Sequence, residues 1–176
     1  MVSTGPDVQN YNFTHMYSFV DRRLNDREEV YLPNKDTLYS YICNPEFSKF
    51  KKILEKAKMI SQLNNIQANF TVFVPDDDSL KDIPDEYFSN MDIGTAKQIV
   101  NASIIVKKIN GELIQSSPVA YYYTLNPKMR MYITNIGGIT IINNRTRITE
   151  YDITLTNGII HKISDLIIPN EDHFMN

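Results

Sequence analysis

The order of apolar and polar positions divides the chain into a helical first half and a strand-rich second half. In the first half, apolar residues recur at three- and four-residue steps, which is the spacing of one helix face. This spacing predicts a short amphipathic helix at residues 13–24 and further helices at 38–42, 47–57 and 95–105. Asp36 and Thr37 offer a cap before the second of these helices, and Asn44-Pro45 ends it.

The second half alternates short apolar runs with turn signals. A first strand is predicted at residues 70–74, and the later ones at 121–125, 128–134, 138–143, 147–155 and 159–168. Asn-Pro, Gly-Gly, Asn-Asn and Asn-Gly pairs separate the later runs. Successive strands joined by tight turns form antiparallel sheets. We therefore predict an α+β fold, with helices of the N-terminal half packed on an antiparallel β-sandwich or wedge formed mainly by the C-terminal half.

Length and composition favour one soluble domain. A chain of 176 residues with 42% hydrophobic and 22% charged residues is typical of a globular protein. We predict an N-terminal extension at residues 1–34, a single domain at 35–170 and a tail at 171–176. The net charge of −3 gives no general attraction to nucleic acid. No apolar run approaches the roughly 20 residues of a membrane-spanning helix.

The compartment is left open by the sequence. The first residues lack the basic patch and apolar core of a secretory signal. Cys43 stands alone, so no disulfide forms within the chain, and its apolar neighbours predict a buried structural cysteine. Four glycosylation sequons, at Asn12, Asn69, Asn101 and Asn144, slightly exceed the roughly two that chance predicts and favour secretion weakly.

Catalytic and cofactor-binding patterns are not found. There is no Gly-x-Ser-x-Gly elbow and no Gly-rich phosphate loop, and His15, His161 and His173 are scattered. One cysteine and three separated histidines give no zinc-ligand spacing. We therefore predict no enzyme activity, no cofactor and no metal site.

An acidic segment follows the first strand. It resembles a calcium loop in charge but lacks the glycine and terminal glutamate of one, so helix capping and a solvated face are favoured over a cation site. Its members are Asp76, Asp77, Asp78, Asp82, Asp85 and Glu86.

Two separated segments carry a specific pattern. Residues 71–80 read as an apolar strand from Thr71, halted by Pro75 and followed by Asp76 as a helix cap. Residues 157–169 begin with Asn157-Gly158, which we expect to supply the positive φ angles of a tight turn. His161 and Asp165 in the second segment would project to one face of a regular strand as a buried polar pair, and Pro169 ends the segment.

In order and separation these two segments resemble the two signatures of the fasciclin domain family. The opening helix pair around residues 37–50 is also similar, so the resemblance covers residues 35–169. It implies a fasciclin-like fold and a non-enzymatic adhesion or recognition module, extracellular or on a cell or particle surface. Thr71, Pro75, Asp76, Asn157, Gly158, His161, Asp165 and Pro169 would be its structural signature residues.

The resemblance also implies a contact segment. Some integrin-binding members present an acidic-Pro-Asp-Ile segment before the second signature, and Glu150, Tyr151, Asp152 and Ile153 stand in that place, with Tyr151 replacing proline. A protein partner, such as an integrin-like receptor or matrix protein, would bind there. The Tyr-His pair that the family often carries is replaced by Ala102 and Ser103.

Two alternatives stay open. Lys128, Arg130, Arg145 and Arg147 give the later region a basic excess, which is either a solvated sheet face or a patch for an acidic polysaccharide. Tyr121 and Tyr123 should face opposite to Tyr122, so that at least one can anchor an interface. The second function considered is a structural or self-assembling protein, intracellular or in a particle, that uses the same fold.

Overall fold

The computed structural model describes residues 31–169, which form six α-helices, two 3₁₀ turns and seven strands. The helices are α1 (Leu38–Ile42), α2 (Ser48–Lys56), α3 (Ile60–Asn64), α4 (Asp85–Ser89), α5 (Ile93–Ala102) and α6 (Gly111–Ile114), and the 3₁₀ turns are Pro45–Phe47 and Asp78–Leu80. The strands are β1 (Phe70–Pro75), β2 (Ile104–Ile105), β3 (Val119–Tyr123), β4 (Arg130–Ile136), β5 (Ile139–Ile142), β6 (Thr146–Leu155) and β7 (Gly158–Ile163). The helix predicted at residues 13–24 and the tail at 171–176 lie outside the described residues.

The strands follow the order β2-β1-β7-β6-β5-β4-β3, and the predicted α+β class is confirmed. All pairings are antiparallel except that of β1 with β7, which runs parallel from Phe70 opposite Gly158 to Pro75 opposite Ile163. That pairing joins the two signature segments side by side. The antiparallel meander therefore holds from β3 to β7, and the parallel pair is the one departure from it.

Apolar side chains of the sheet and of the helices form the core. Phe50, Ile53 and Leu54 bury one face of α2, as the three- and four-residue spacing predicts. On the strands, Phe73, Met131, Ile133, Ile142 and Ile148 belong to one buried cluster. Burying each such side chain stabilises the fold by about 1.5–3 kcal/mol.

Two predicted elements end earlier than expected. The fifth helix ends at Ala102, and Ser103 follows as its C-cap with its hydroxyl donating to Ile99 O at 2.9 Å. Ile104 then pairs with Val72 in the sheet, because a cross-strand partner outweighs continued helix periodicity. The last strand stops at Ile163, where Arg147 N donates to Ser164 Oγ and Leu166 N to the Asp165 carboxylate.

Cys43 differs from the prediction. It is half-buried rather than buried, because it is the C-cap residue at the end of the five-residue helix α1. The two short helices α4 and α6 were not predicted. A single turn shows no apolar periodicity, and only the Asn110 side chain, which accepts from Leu113 N, could have signalled α6.

Candidate functional site

Thr71 of the first signature fastens the loop after β2. It is fully buried, and its hydroxyl donates to Lys107 O at 2.6 Å and accepts from Ile109 N at 2.8 Å. A buried hydroxyl with both bonds made costs little to desolvate and fixes its partners. Pro75 is also buried and ends β1, after which the chain turns.

The aspartates after Pro75 bind different elements rather than one helix. Asp76 accepts from Ser79 N at 2.9 Å and so caps the adjoining 3₁₀ turn. Asp77 accepts from Lys49 N at 2.8 Å and from the Ser48 hydroxyl, which caps the distant helix α2. The sequence predicted capping but not that two neighbouring aspartates would serve two elements.

Lys162 on β7 forms ion pairs with three carboxylates. Its Nζ lies 3.3 Å from Glu46 Oε2, 3.3 Å from Asp76 Oδ2 and 3.7 Å from Glu150 Oε1. Partial burial raises the pKa of Asp76, but hydrogen bonds from Ser79 and Lys162 outweigh it and hold that pKa below its usual range. The described residues contain no group of three His, Cys, Asp or Glu side chains that could hold a metal ion.

Asn157 of the second signature is a buried connector and not the positive-φ turn residue that we expected. Its Oδ1 accepts from Leu38 N at 2.7 Å, and its Nδ2 donates to Leu63 O and Asn65 O, both at 2.9 Å. The amide thus satisfies the first free N–H of α1 and two carbonyls at the end of α3. The positive φ lies at Gly158 instead, and a Cβ there would stand 2.2 Å from Phe70 O.

His161 is fully buried and bonded at both ring nitrogens. Asp152 N donates to Nδ1 at 3.1 Å, so Nε2 carries the proton and donates to Ile109 O at 2.8 Å. Burial holds the pKa of His161 below its ordinary value, despite the hydrogen bond to Ile109 and the nearby Asp152 charge. The expected pair with Asp165 does not form: β7 ends before Asp165, whose carboxylate lies 3.4 Å from the Arg145 guanidinium.

The segment from Glu150 to Ile153 lies on a doubly bulged stretch of β6. Between Ile148 and Ile153 the register against β7 shifts twice, and Asp152 has φ 65°. Its carboxylate accepts from Gly111 N at 2.7 Å, and a Cβ on Gly111 would come within 2.9 Å of that carboxylate. Bulges of this kind bend a strand and re-aim its side chains.

The four side chains of that segment differ in exposure and in their partners. Tyr151 is half-buried, and its hydroxyl lies 2.6 Å from Thr140 Oγ1. Ile153 is also half-buried, whereas Asp152 is exposed and the Glu150 side chain is 56% exposed. Among the four side chains of this segment, those of Glu150 and Asp152 are therefore the most exposed. At the positions of the family's Tyr-His pair, Ala102 and Ser103 are both buried.

The strands β3, β4 and β5 present a second surface. Residues opposite each other in register share a face, which places Val119, Tyr121, Tyr123, Ile136 and Ile139 together on the side away from the core. Their exposed fractions are 49%, 55%, 80%, 66% and 48%. Tyr122 faces the core, so the predicted alternation in the tyrosine run is confirmed. We call this surface the outer face.

Three of the four predicted basic residues border the outer face. Arg130 is opposite Tyr123 and Arg147 opposite Ile141, and both are exposed on that side, while Lys128 is exposed in the β3–β4 hairpin. Arg145 is in the β5–β6 turn and is paired with Asp165. The sequence predicted the basic excess but not its alignment with the exposed tyrosines, because only strand register decides which residues share a face.

No helix among residues 31–169 combines the length and apolarity needed to cross a membrane. No curated protein matches the sequence. The fold is similar to a solved FAS1 domain pair from the insect cell adhesion molecule fasciclin I, with 21% identity and a TM-score of 0.66 over 81% of this chain. The match covers 54% of that chain, so the present chain spans about half of its length. The model of the fasciclin domain matches residues 45–169, and the chain therefore belongs to the fasciclin domain family.

Proposed function

We propose that the protein is a non-enzymatic recognition module that binds a partner at a cell or particle surface. Fasciclin domains are generally adhesion-related protein-interaction modules, typically extracellular or at the cell surface, and generally without enzymatic activity. The observation that carries the proposal for this chain is the outer face, where five large apolar side chains are about half exposed or more. Contiguous apolar surface of this kind is typical of interaction sites.

The outer face suits a binding role because one of its exposed aromatic side chains packs against a neighbouring ring and its strands pack on the core. The Tyr121 and Tyr132 rings lie 4.9 Å apart, so the exposed ring is held by a neighbour on the next strand. Tyrosine supplies a large contact area with few rotatable bonds, which lowers the entropy lost on binding. The strands behind it are packed on the buried cluster around Met131 and Ile133.

Adhesion of cells to the immobilised protein tests the proposal. Ile136→Ser with Tyr123→Ser should abolish adhesion, since both residues are exposed on the outer face. The control is Ile66→Ser with Val106→Ser, which removes two apolar side chains that are also more than half exposed, 56% and 57%, elsewhere on the domain. Adhesion that survives the first variant, or falls equally in both, refutes the use of this face.

We propose Glu150 and Asp152 as a second contact for a protein partner, supported by Tyr151 and Ile153. Asp152→Ala would also remove the bond to Gly111 and strain a positive φ, so it confuses contact with folding. Asp152→Asn keeps an acceptor oxygen and tolerates that backbone conformation. Weaker adhesion of Glu150→Gln with Asp152→Asn at unchanged thermal stability supports the contact, and unchanged adhesion removes these residues from the site.

Self-association is the second candidate function, and the open edge of β3 favours it. β3 ends the described sheet, and Asn135 N donates to Pro118 O, so Val119 and Thr134 are a non-hydrogen-bonded pair. The backbone N–H and C=O of Val119, Tyr121 and Tyr123 then point away from β4, ready to pair with another strand. Light scattering across a concentration series should show oligomers that Val119→Lys dissociates, and a strictly monomeric wild type contradicts this function.

A further inference from the structure

The geometry points to an anionic polysaccharide as a ligand of the β3–β4 hairpin end of the outer face. We propose that its sulfate or carboxylate groups pair with Lys128 and Arg130 while a sugar ring stacks on Tyr123. This proposal rests on the proposed recognition function and names the partner class of the same surface.

The charge of the outer face favours an anionic ligand. Residues 113–149, which include the whole of β3, β4 and β5, contain no Asp or Glu and carry four Lys or Arg, in a chain whose net charge is −3. Within residues 113–149, therefore, no acidic side chain offsets the four positive charges. Arg145 is paired with Asp165, which leaves Lys128, Arg130 and Arg147 as the cations of the outer face. A surface of one sign attracts and orients a partner of the opposite sign.

Aromatic side chains lie beside these cations and favour a sugar as the ligand. The Arg130 guanidinium lies 4.6 Å from the centre of the Tyr121 ring, which in turn packs on Tyr132. This contact restricts the guanidinium beside the ring, so less side-chain entropy is lost when an anion binds. Tyr123 is 80% exposed and pairs in register with Arg130. Its free ring can pack against the C–H face of a sugar.

The β3–β4 hairpin forms a shallow hollow beside these side chains. Tyr123, Lys128 and Arg130 line a shallow hollow of about 260 Å³ formed by the turn between β3 and β4. The Thr124 hydroxyl donates to Met129 O at 2.8 Å, and Asn126 Oδ1 accepts from Lys128 N at 3.0 Å, which fixes the turn. Pockets for whole small molecules occupy roughly 300–1,000 Å³. The hollow therefore suits one unit of a longer ligand.

The position of Arg147 favours a polymer over a small anion. Arg147 is on β6, two strands away from Arg130 on β4. It is in register with Ile141 and Thr134, and Thr134 lies four residues along β4 from Arg130. At the usual strand spacings the two Cα atoms are roughly 17 Å apart. No single sulfate or carboxylate reaches both, whereas an extended polyanion that crosses the outer face from Arg130 to Arg147 passes Tyr132 on the way.

Surface plasmon resonance with the full chain over immobilised heparin, hyaluronan and uncharged dextran tests the proposal. Wild type should bind at least one of the two anionic polymers, not dextran, and lose affinity at high salt because exposed charges are screened. Lys128→Gln with Arg130→Gln should bind roughly tenfold more weakly. Arg130→Lys, which keeps the charge but not the planar guanidinium, should bind more tightly than this double variant and more weakly than wild type. Tyr123→Ala, which changes no charge, should bind several-fold more weakly than wild type.

The control variant is Lys107→Gln with Lys108→Gln, which removes the same charge from exposed lysines outside the outer face. It should bind like wild type. Equal losses in the two double variants would show attraction by net charge alone and overturn the proposal, as would a wild type that binds neither anionic polymer. If cells treated with heparinase and hyaluronidase still adhere through the outer face, the partner is a protein: the polysaccharide proposal fails while the recognition function stands.

Discussion

Replacing Asn157 tests whether one buried amide holds the helices to the sheet. Asn157 is 1% exposed and makes three hydrogen bonds, to Leu38 N, Leu63 O and Asn65 O. Asn157→Ala leaves Leu38 N and Leu63 O without this partner inside the protein. A buried group left unsatisfied costs about 1–3 kcal/mol, so we expect a loss of about 3–5 kcal/mol. That is a large part of the roughly 5–15 kcal/mol by which domains are stable.

Urea unfolding at neutral pH measures this loss as a lower midpoint at constant slope. Asn90→Ala is the control, because Asn90 is exposed at the end of α4, and it should change the free energy of unfolding by less than about 0.5 kcal/mol. If Asn157→Ala costs less than about 1 kcal/mol, water or a shifted chain replaces the amide and the reasoning is wrong.

Asn157→Asp has nearly the same shape and separates hydrogen bonding from packing. One carboxylate oxygen can still accept from Leu38 N, but the other faces the carbonyls of Leu63 and Asn65. Burial and these carbonyls disfavour the charged form, so the pKa of the new carboxyl should be raised in the folded protein. The deficit relative to wild type should then be largest at neutral pH and shrink as the pH falls through that pKa. A deficit that does not vary with pH contradicts this account.

Three further predictions concern the strand framework. Gly158→Ala should destabilise the domain by more than about 3 kcal/mol or prevent folding, since the added Cβ would collide with Phe70 O. Gly94→Ala in α5 is the control: the nearest atom to its added Cβ is at 3.6 Å, so it should be neutral or stabilising by up to about 1 kcal/mol. The pKa of His161 is lower in the folded protein than its unfolded value near 6.5, so the contribution of the neutral ring to stability is complete above that value and is lost as the pH falls through the folded pKa. Urea midpoints measured from pH 7 to 5 should therefore fall more in wild type than in His161→Gln. In thermal unfolding, Asp152→Asn should lower the free energy of unfolding by less than about 1 kcal/mol and Asp152→Ala by about 2 kcal/mol, because only alanine removes the acceptor for Gly111 N. Equal losses in the two variants would show that this hydrogen bond does not stabilise the fold.

The sequence predicted best the elements that are long enough to repeat their pattern of apolar and polar side chains. The stripe on α2 and the alternation along β3 both follow from local geometry, since a helix or strand repeats its faces at fixed intervals. The two signature segments likewise identified the family before any contact was known. Single-turn helices such as α6 gave no such signal, because four residues complete barely one period.

The candidate surfaces depended on contacts that no local pattern contains. Asp77 was expected to cap the chain that follows it and instead caps α2, and Asn157 was expected to shape a turn and instead bonds to α1 and α3. In both cases a short polar side chain satisfies whichever free backbone group the fold brings near. Sequence spacing predicts that such a residue will bond, but not to what.

The sequence by itself determined the class of fold, the family, the strand and helix faces and the basic excess of residues 113–149, because periodicity, turn chemistry and charge are local properties. Only the tertiary structure decided that β1 runs parallel to β7, that Asp152 is held by Gly111 and His161, and that Arg130 lies over Tyr121. These are long-range pairings, and their register is set by which arrangement buries the most apolar surface with every buried polar group bonded.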